Sequence, residues 1–443
     1  MGNINVSTVT GKNNQPVNFP TGISIGVGVG AGTVNHIGLA GQQGFGLGIC
    51  PGPLPAGMSE MPGTRTPTSE NYGNYIYSDG SVMIWVPAFY YKYGTGANGL
   101  ALNDVDVKAF SDYQTVGTAN AAGYALHRAF YDGGAVQAGC FVDKYQCSNN
   151  GGIASSLRLG NPLSSAAIHN PFSLVGAANA YAGAIDVAKS RGVNFFCNSR
   201  FIFSALALLS VAHGQAATSA TWCAWYDAAG ITNYPKGNNN NALGDANDAA
   251  ISYMSDGYPN AGKTGSANLF SRTTHNGQNS GVCDLNGNMW EISLGLTSDA
   301  TSYFLLNPSV SMKALTSGNA LVTDAWGAAS YAANYTNLGA SYASLWATGV
   351  NRATGIGSAT AQSFSSAVSG NAWNAAGAGI PLAIGGSNKL GNDGLWDYKP
   401  NELCPLAGGS WTYAALAGVW ALYLGDVRGS SGSTVGCRSA LYL

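Results

Sequence analysis

An α+β fold with many short strands, two helices and long loops is what this sequence predicts. Three observations lead there. Of its 443 residues, 62 are glycine, which reads as frequent turns and irregular connections. Short runs rich in β-branched and aromatic residues recur along the chain, each bounded by turn residues, as strands are. Only two segments carry capping residues at the start of a helical pattern and glycine past its end. Low-complexity disorder is the competing reading. The 23 Tyr, 10 Trp and 14 Phe argue against it, because disordered chains are poor in aromatics.

Charged residues make up 9% of the chain, against about 25% in an ordinary globular domain. Solubility therefore rests on Asn, Ser, Thr and Tyr. The net charge is −2, so no basic field exists to attract nucleic acid or an anionic membrane. The eight cysteines form no C-x-x-C pair and are expected to be buried free thiols. The start, MGNINVSTVTG, has neither a charged n-region nor an apolar h-region, so no secretory signal is expected. The longest apolar run, around Phe201 to Ala212, is too short to cross a bilayer.

Taken in order, residues 1–65 are rich in Gly and Pro and read as a β module for anchoring or oligomerisation. Within it ISIGVGVG alternates as a strand does. Gly26, Gly28, Gly30 and Gly32 give a G-x-G spacing, but no helix follows, so a dinucleotide loop is rejected. The remainder, 66–443, is expected to form one domain. SDGSVMIWVPAFYYKYG, 78–94, is a strand entered through Asp79-Gly80, and GCFVDKYQCS, 139–148, is a second. Asn179 is placed to cap a helix over AYAGAIDVAKSR. Asn198 is placed to cap SRFIFSALALLSVAH, with Gly214 past its end. That second helix is apolar nearly all round and should be buried. Residues 215–280 read as loops. GVCDLNGNMWEISLGL, 281–296, is a turn at Asn286-Gly287 followed by a strand, with Trp290 in the core and Glu291 anchoring polar backbone. Residues 298–400 read as an Ala/Ser/Asn-rich insertion, and the end as short strands with Gly-Ser turns.

Four segments in this order, MIWVPAFYYK, FVDKYQCS, CDLNGNMWEI and GGSW…GCR, resemble the formylglycine-generating-enzyme branch of the C-type-lectin fold. The resemblance implies that fold over roughly 80–443. In the enzymes of that branch two cysteines close behind G-G-S-W bind copper. Here Trp411 is followed by Thr412, Tyr413, Ala414, Ala415, Leu416 and Ala417, with no Cys until Cys437. Related iron-dependent enzymes need clustered histidines. His36, His127, His169, His213 and His275 stand tens of residues apart. No enzymatic activity and no cofactor are therefore expected. The calcium-dependent sugar motifs of animal lectins do not appear. GNDGLWD, 391–397, has the spacing of a calcium loop but reads first as a turn held by Asx bonds.

The end is similar to another branch, the variable proteins of diversity-generating retroelements, which include phage major tropism determinants. Their frame, GGSW…AGVF…L-x-L…VGFR, is matched from Gly408 to Arg438, with Trp420 and Cys437 in place of Phe. The template Asn positions fall on Thr412, Tyr413, Leu416, Tyr423, Gly425, Asp426, Ser430, Gly432 and Thr434. In that family the adenines of AAC codons are randomised, which cannot produce Lys, Glu, Gln, Met or Trp. None of these occupies the nine positions. The resemblance implies a variable ligand-binding surface over 408–438 on a phage tail protein, forming a homotrimer, meeting other virion tail proteins and binding a host cell-surface receptor of protein or glycan. A structural virion protein and a bacterial surface-displayed binder are the alternatives.

The residues add a physical expectation. Leu422 and Leu424 should point to one face of a strand, and Tyr423 and Gly425 to the other. Trp411, Val419, Trp420, Leu422, Leu424, Val435 and Arg438 should hold the scaffold. Tyr413 and Tyr423 are the candidate binding anchors, offering area and a hydroxyl at low entropic cost.

Overall fold

The strand expected over 78–94 breaks at Ala88, and the break decides the architecture. Pro87 cannot donate to a continuing ladder. Val82–Pro87 pairs with Asn74–Tyr77 on one side and Gly139–Asp143 on the other. Phe89–Tyr93 pairs instead with Val105–Ala109 and Ala125–Leu126 in a separate three-stranded sheet. One apolar run thus feeds two sheets. The computed structural model describes residues 34–231, 233–317, 334–345, 352–386, 390 and 392–443. The mixed α+β character, with many short strands and few helices, is as expected.

The first six-stranded sheet runs Met58–Glu60, Asn74–Tyr77, Val82–Pro87, Gly139–Asp143, Ser439–Leu441, Phe196–Cys197. Its C-terminal strand lies between elements from the middle of the chain: Ala440 faces Val142 on one side and Phe196 on the other. The second runs Arg352–Gly355, Gly394–Asp397, Leu422–Val427, Leu403–Ala407, Trp290–Ile292, Val435–Gly436. Described parts of 298–400 contribute to this sheet. Arg352–Gly355 and Gly394–Asp397 are two of its strands, and Ile356, Phe364, Ile380 and Leu395 lie in the main core.

The long helix Arg200–Ala216 is buried from Arg200 to His213, as its all-round apolar pattern requires. Its cap is Ser199, whose hydroxyl accepts from Ile202 N at 3.2 Å, while Asn198 turns its amide oxygen to Ser199 N. The helix continues through Gly214, where Trp225 and Ile231 approach so closely that a Cβ would meet both. The shorter helix, Tyr181–Lys189, starts after Ala180 without a side-chain cap. Asn179 instead accepts from Ser173 N, so the expected cap serves the preceding turn.

About half of the N-terminal module expected over 1–65, including ISIGVGVG, lies outside the described residues. Its described part is not separate. Ile37, Phe45, Leu47 and Ile49 join the main core, and Met58–Glu60 edges the first sheet. All eight cysteines are free and buried. Among the described residues no helix is long and apolar enough to cross a membrane.

Candidate binding surface

The C-terminal segment earns its place through pairing at the centre of the second sheet. Leu422–Val427 pairs in parallel with Gly394–Asp397, setting Trp396 opposite Tyr423. On its other side it runs antiparallel to Leu403–Ala407, with an irregularity between Cys404 and Leu406. Val435–Gly436 then runs parallel to Trp290–Ile292. Strand periodicity sorts the side chains. Leu422 and Leu424 are fully buried, and Tyr423 and Gly425 are half-buried on the opposite face.

The same partition holds along the whole segment. Trp411, Val419, Trp420, Leu422, Leu424, Val435 and Arg438 are all buried. Thr412 and Leu416 are exposed, and Tyr413, Tyr423, Gly425, Asp426, Ser430, Gly432 and Thr434 are half-buried. None of these nine lies in the core.

Two of the nine belong to an aromatic group that also contains two buried tryptophans. Trp290 meets Tyr413 edge-on at 5.0 Å between ring centres, and Trp396 meets Tyr413 edge-on at 5.0 Å. Tyr423 lies 5.9 Å from Trp290 and 6.0 Å from Trp396. Such edge-to-face contacts between rings are favourable beyond the area they bury. Burial pushes the Tyr413 phenol above its ordinary value, and it does the same to the Asp426 carboxyl. Trp396 was not among the expected site residues. Nothing in GLWD marked it, since all four residues of this strand are buried.

What holds the frame is largely polar. Glu291 does not anchor backbone. It receives Arg438 Nε and Nη2, each at 2.5 Å, with both side chains buried. Arg438 also donates to the carbonyls of Asp143 and Cys283, so one guanidinium joins three parts of the chain. Asp393, in GNDGLWD, does not close an Asx turn on itself. Its carboxylate accepts from Trp420 N at 2.8 Å, and burial raises its pKa well above the usual carboxylate range. Gly418 lies so close that a Cβ there would sit 1.9 Å from Asp393 Oδ1, so the glycine of AGVW is obligatory. His169 stands between Ser433 O and Asp256, at 2.7 and 2.6 Å, and fixes the 430–434 loop.

The stretch GNNNN, within the expected loop region, supplies the remaining support. Asn238 Nδ2 donates to Asn288 Oδ1, and Asn239 Nδ2 to Asn286 Oδ1. Gly287 has φ +78° and packs directly on Asn238 O, as the tight turn at Asn286-Gly287 requires. The same asparagines hold the start of the C-terminal segment: Asn241 N donates to Trp411 O, and Ala414 N to Asn239 O. Buried amides are costly unless paired, and the amide nitrogens of Asn238, Asn239, Asn286 and Asn288 all find acceptors. Composition alone marked them as a polar loop.

No family model matches the chain, and no curated protein matches it. Among solved structures it is similar to the Major Tropism Determinant U1 variant, at 10% identity and a TM-score of 0.30, over 83% of this chain and 65% of that one. The I1 and M1 variants follow at 11% and 12% identity, each with a TM-score of 0.29 and 82% of this chain covered. The chain thus spans just under two thirds of the length of these structures.

Burial drives the Cys283 and Cys404 thiols well above their ordinary pKa, which keeps them protonated and unreactive. Among the described residues no three or more His, Cys, Asp or Glu are grouped to hold a metal. What the surface presents is two half-buried tyrosines, Tyr413 and Tyr423, backed by the buried Trp290 and Trp396, with small and polar side chains at their edge.

Proposed function

We propose that this chain is a phage receptor-binding protein that displays a changeable ligand-binding surface over 408–438 on a C-type-lectin scaffold. One observation carries the reading: the nine positions expected to change are all at least partly exposed, while the seven frame positions among them are all buried. A surface that is rewritten must spare its own core, because core substitutions commonly cost several kcal/mol. The frame itself, GGSW to VGCR, supports the same reading. Tyr413 and Tyr423 serve as anchors on the floor of Trp290 and Trp396, and Thr412, Leu416, Ser430, Gly432 and Thr434 adjust the rim. Display on a homotrimer at a tail tip would turn weak single contacts into avidity for a host surface receptor.

The test is deep sequencing of the coding DNA for residues 405–443 in a replicating population, together with its flanks. Changes confined to adenines at codons such as 412, 413, 416, 423, 425 and 426, beside a near-copy template and a reverse transcriptase, are expected. An invariant segment with no template nearby would sink the diversification reading and leave a fixed-specificity adhesin or structural virion protein.

A further inference from the structure

A second recess lies on residues that take no part in the variable segment. It is a cavity of about 380 Å³ walled by Lys144, Arg158, Phe270, Ser271 and Asn279, with Glu70 at its rim. None of these belongs to 408–438. Its size is in the range that holds a small molecule.

Its charge is unusual for so uncharged a protein. Lys144 is 4% exposed. Its ammonium donates only to neutral acceptors: Asn74 Oδ1 at 2.7 Å, Asn279 O at 2.8 Å and Glu70 O at 3.5 Å. Burial lowers its pKa to about 8, so it remains mostly charged at neutral pH. Arg158 is exposed and lies 5.0 Å from the centre of the Phe270 ring. Its Nε donates to Gly265 O, and its two terminal nitrogens donate to no atom of the described residues. Neither cation makes an ion pair with a described carboxylate. The Ser271 hydroxyl and the Asn279 amide also form no hydrogen bond within the described protein.

We propose that this cavity binds a small carboxylate of monosaccharide size, with uronic acids as the fitting class. A planar carboxylate matches the two unused N–H groups of Arg158 as parallel hydrogen bonds. Two cations against one rim carboxylate leave a single positive charge, which suits a monoanion better than a phosphate dianion. Phe270, 8% exposed beneath Arg158, gives the sugar an apolar wall, and Ser271 and Asn279 meet its hydroxyls.

The experiment is an NMR titration of the full chain with glucuronate, glucose and inorganic phosphate, repeated on R158A, R158K and Y423A. Saturable glucuronate binding is expected, with glucose at least tenfold weaker. R158A should weaken it about tenfold and R158K by less, the fork being lost but the charge kept. Y423A should leave it unchanged. Equal binding of glucose, tighter binding of phosphate, unaltered binding in R158A, or loss in Y423A would each overturn the proposal. These outcomes are independent of whether the C-terminal segment diversifies.

Discussion

Two parts of the C-terminal surface differ in how freely they can change. At its centre, Tyr413 and Tyr423 are packed against Trp290 and Trp396, so a new side chain there must fit against two buried rings. At its rim, Thr412 and Leu416 are exposed and touch little. Beneath both lies a frame held by buried polar groups, Glu291 with Arg438 and Asp393 with Trp420 N. Tolerance to change therefore falls from rim to centre to frame. A substitution should cost more stability the more deeply its position is packed.

Breaking the frame should have the largest effect. Glu291→Gln leaves Arg438 charged and buried without its partner, and should cost about 3–5 kcal/mol in urea denaturation. A loss below about 1 kcal/mol would mean that the pair does not hold the frame. Leu424→Ala, on the buried face of the central strand, should cost about 2–5 kcal/mol. Tyr423→Ala, one residue away on the opposite face, should cost about 1–2 kcal/mol, because only part of its ring packs. Equal losses for these two neighbours would erase the distinction between the faces.

Asp393→Asn tests the frame through pH. Burial raises the folded-state pKa of Asp393, so folding favours its protonated form. The associated stability is present below the unfolded pKa of about 4 and is lost as pH rises, by up to about 1.4 kcal/mol per unit until the folded pKa is passed. Between pH 5 and pH 8 the native protein should lose more stability than the Asn variant, which keeps an acceptor for Trp420 N. Parallel pH curves for the two proteins would contradict the burial of an ionisable group there. Smallest of all, Thr412→Ala should shift stability by no more than about 0.5 kcal/mol while remaining free to alter ligand choice.

Much of the surface was legible in the chain. The alternation of LYLGD placed Leu422 and Leu424 inside because a strand has a period of two, whatever it pairs with. The all-round apolar run from Phe201 likewise dictated a buried helix. The turn at Asn286-Gly287 followed from local backbone chemistry. Such features depend on residues close in sequence, and a sequence displays them directly.

Other features needed the folded molecule. Trp396 comes to lie behind Tyr413 and Tyr423 only because Gly394–Asp397 pairs beside Leu422–Val427, across a long stretch that reads as an insertion. Asn238 and Asn239 look like loop residues until Asn286 and Asn288 arrive opposite them. Glu291 was expected to anchor backbone, and its true partner is 147 residues away. Asn179 and Asn198 could each have capped a helix, and the choice went to other contacts. Local pattern thus determined which face of each element is apolar and where the chain turns. Which polar groups share the interior was decided only by tertiary structure, because a buried hydrogen bond or ion pair is specified by distance in space and leaves no period in sequence.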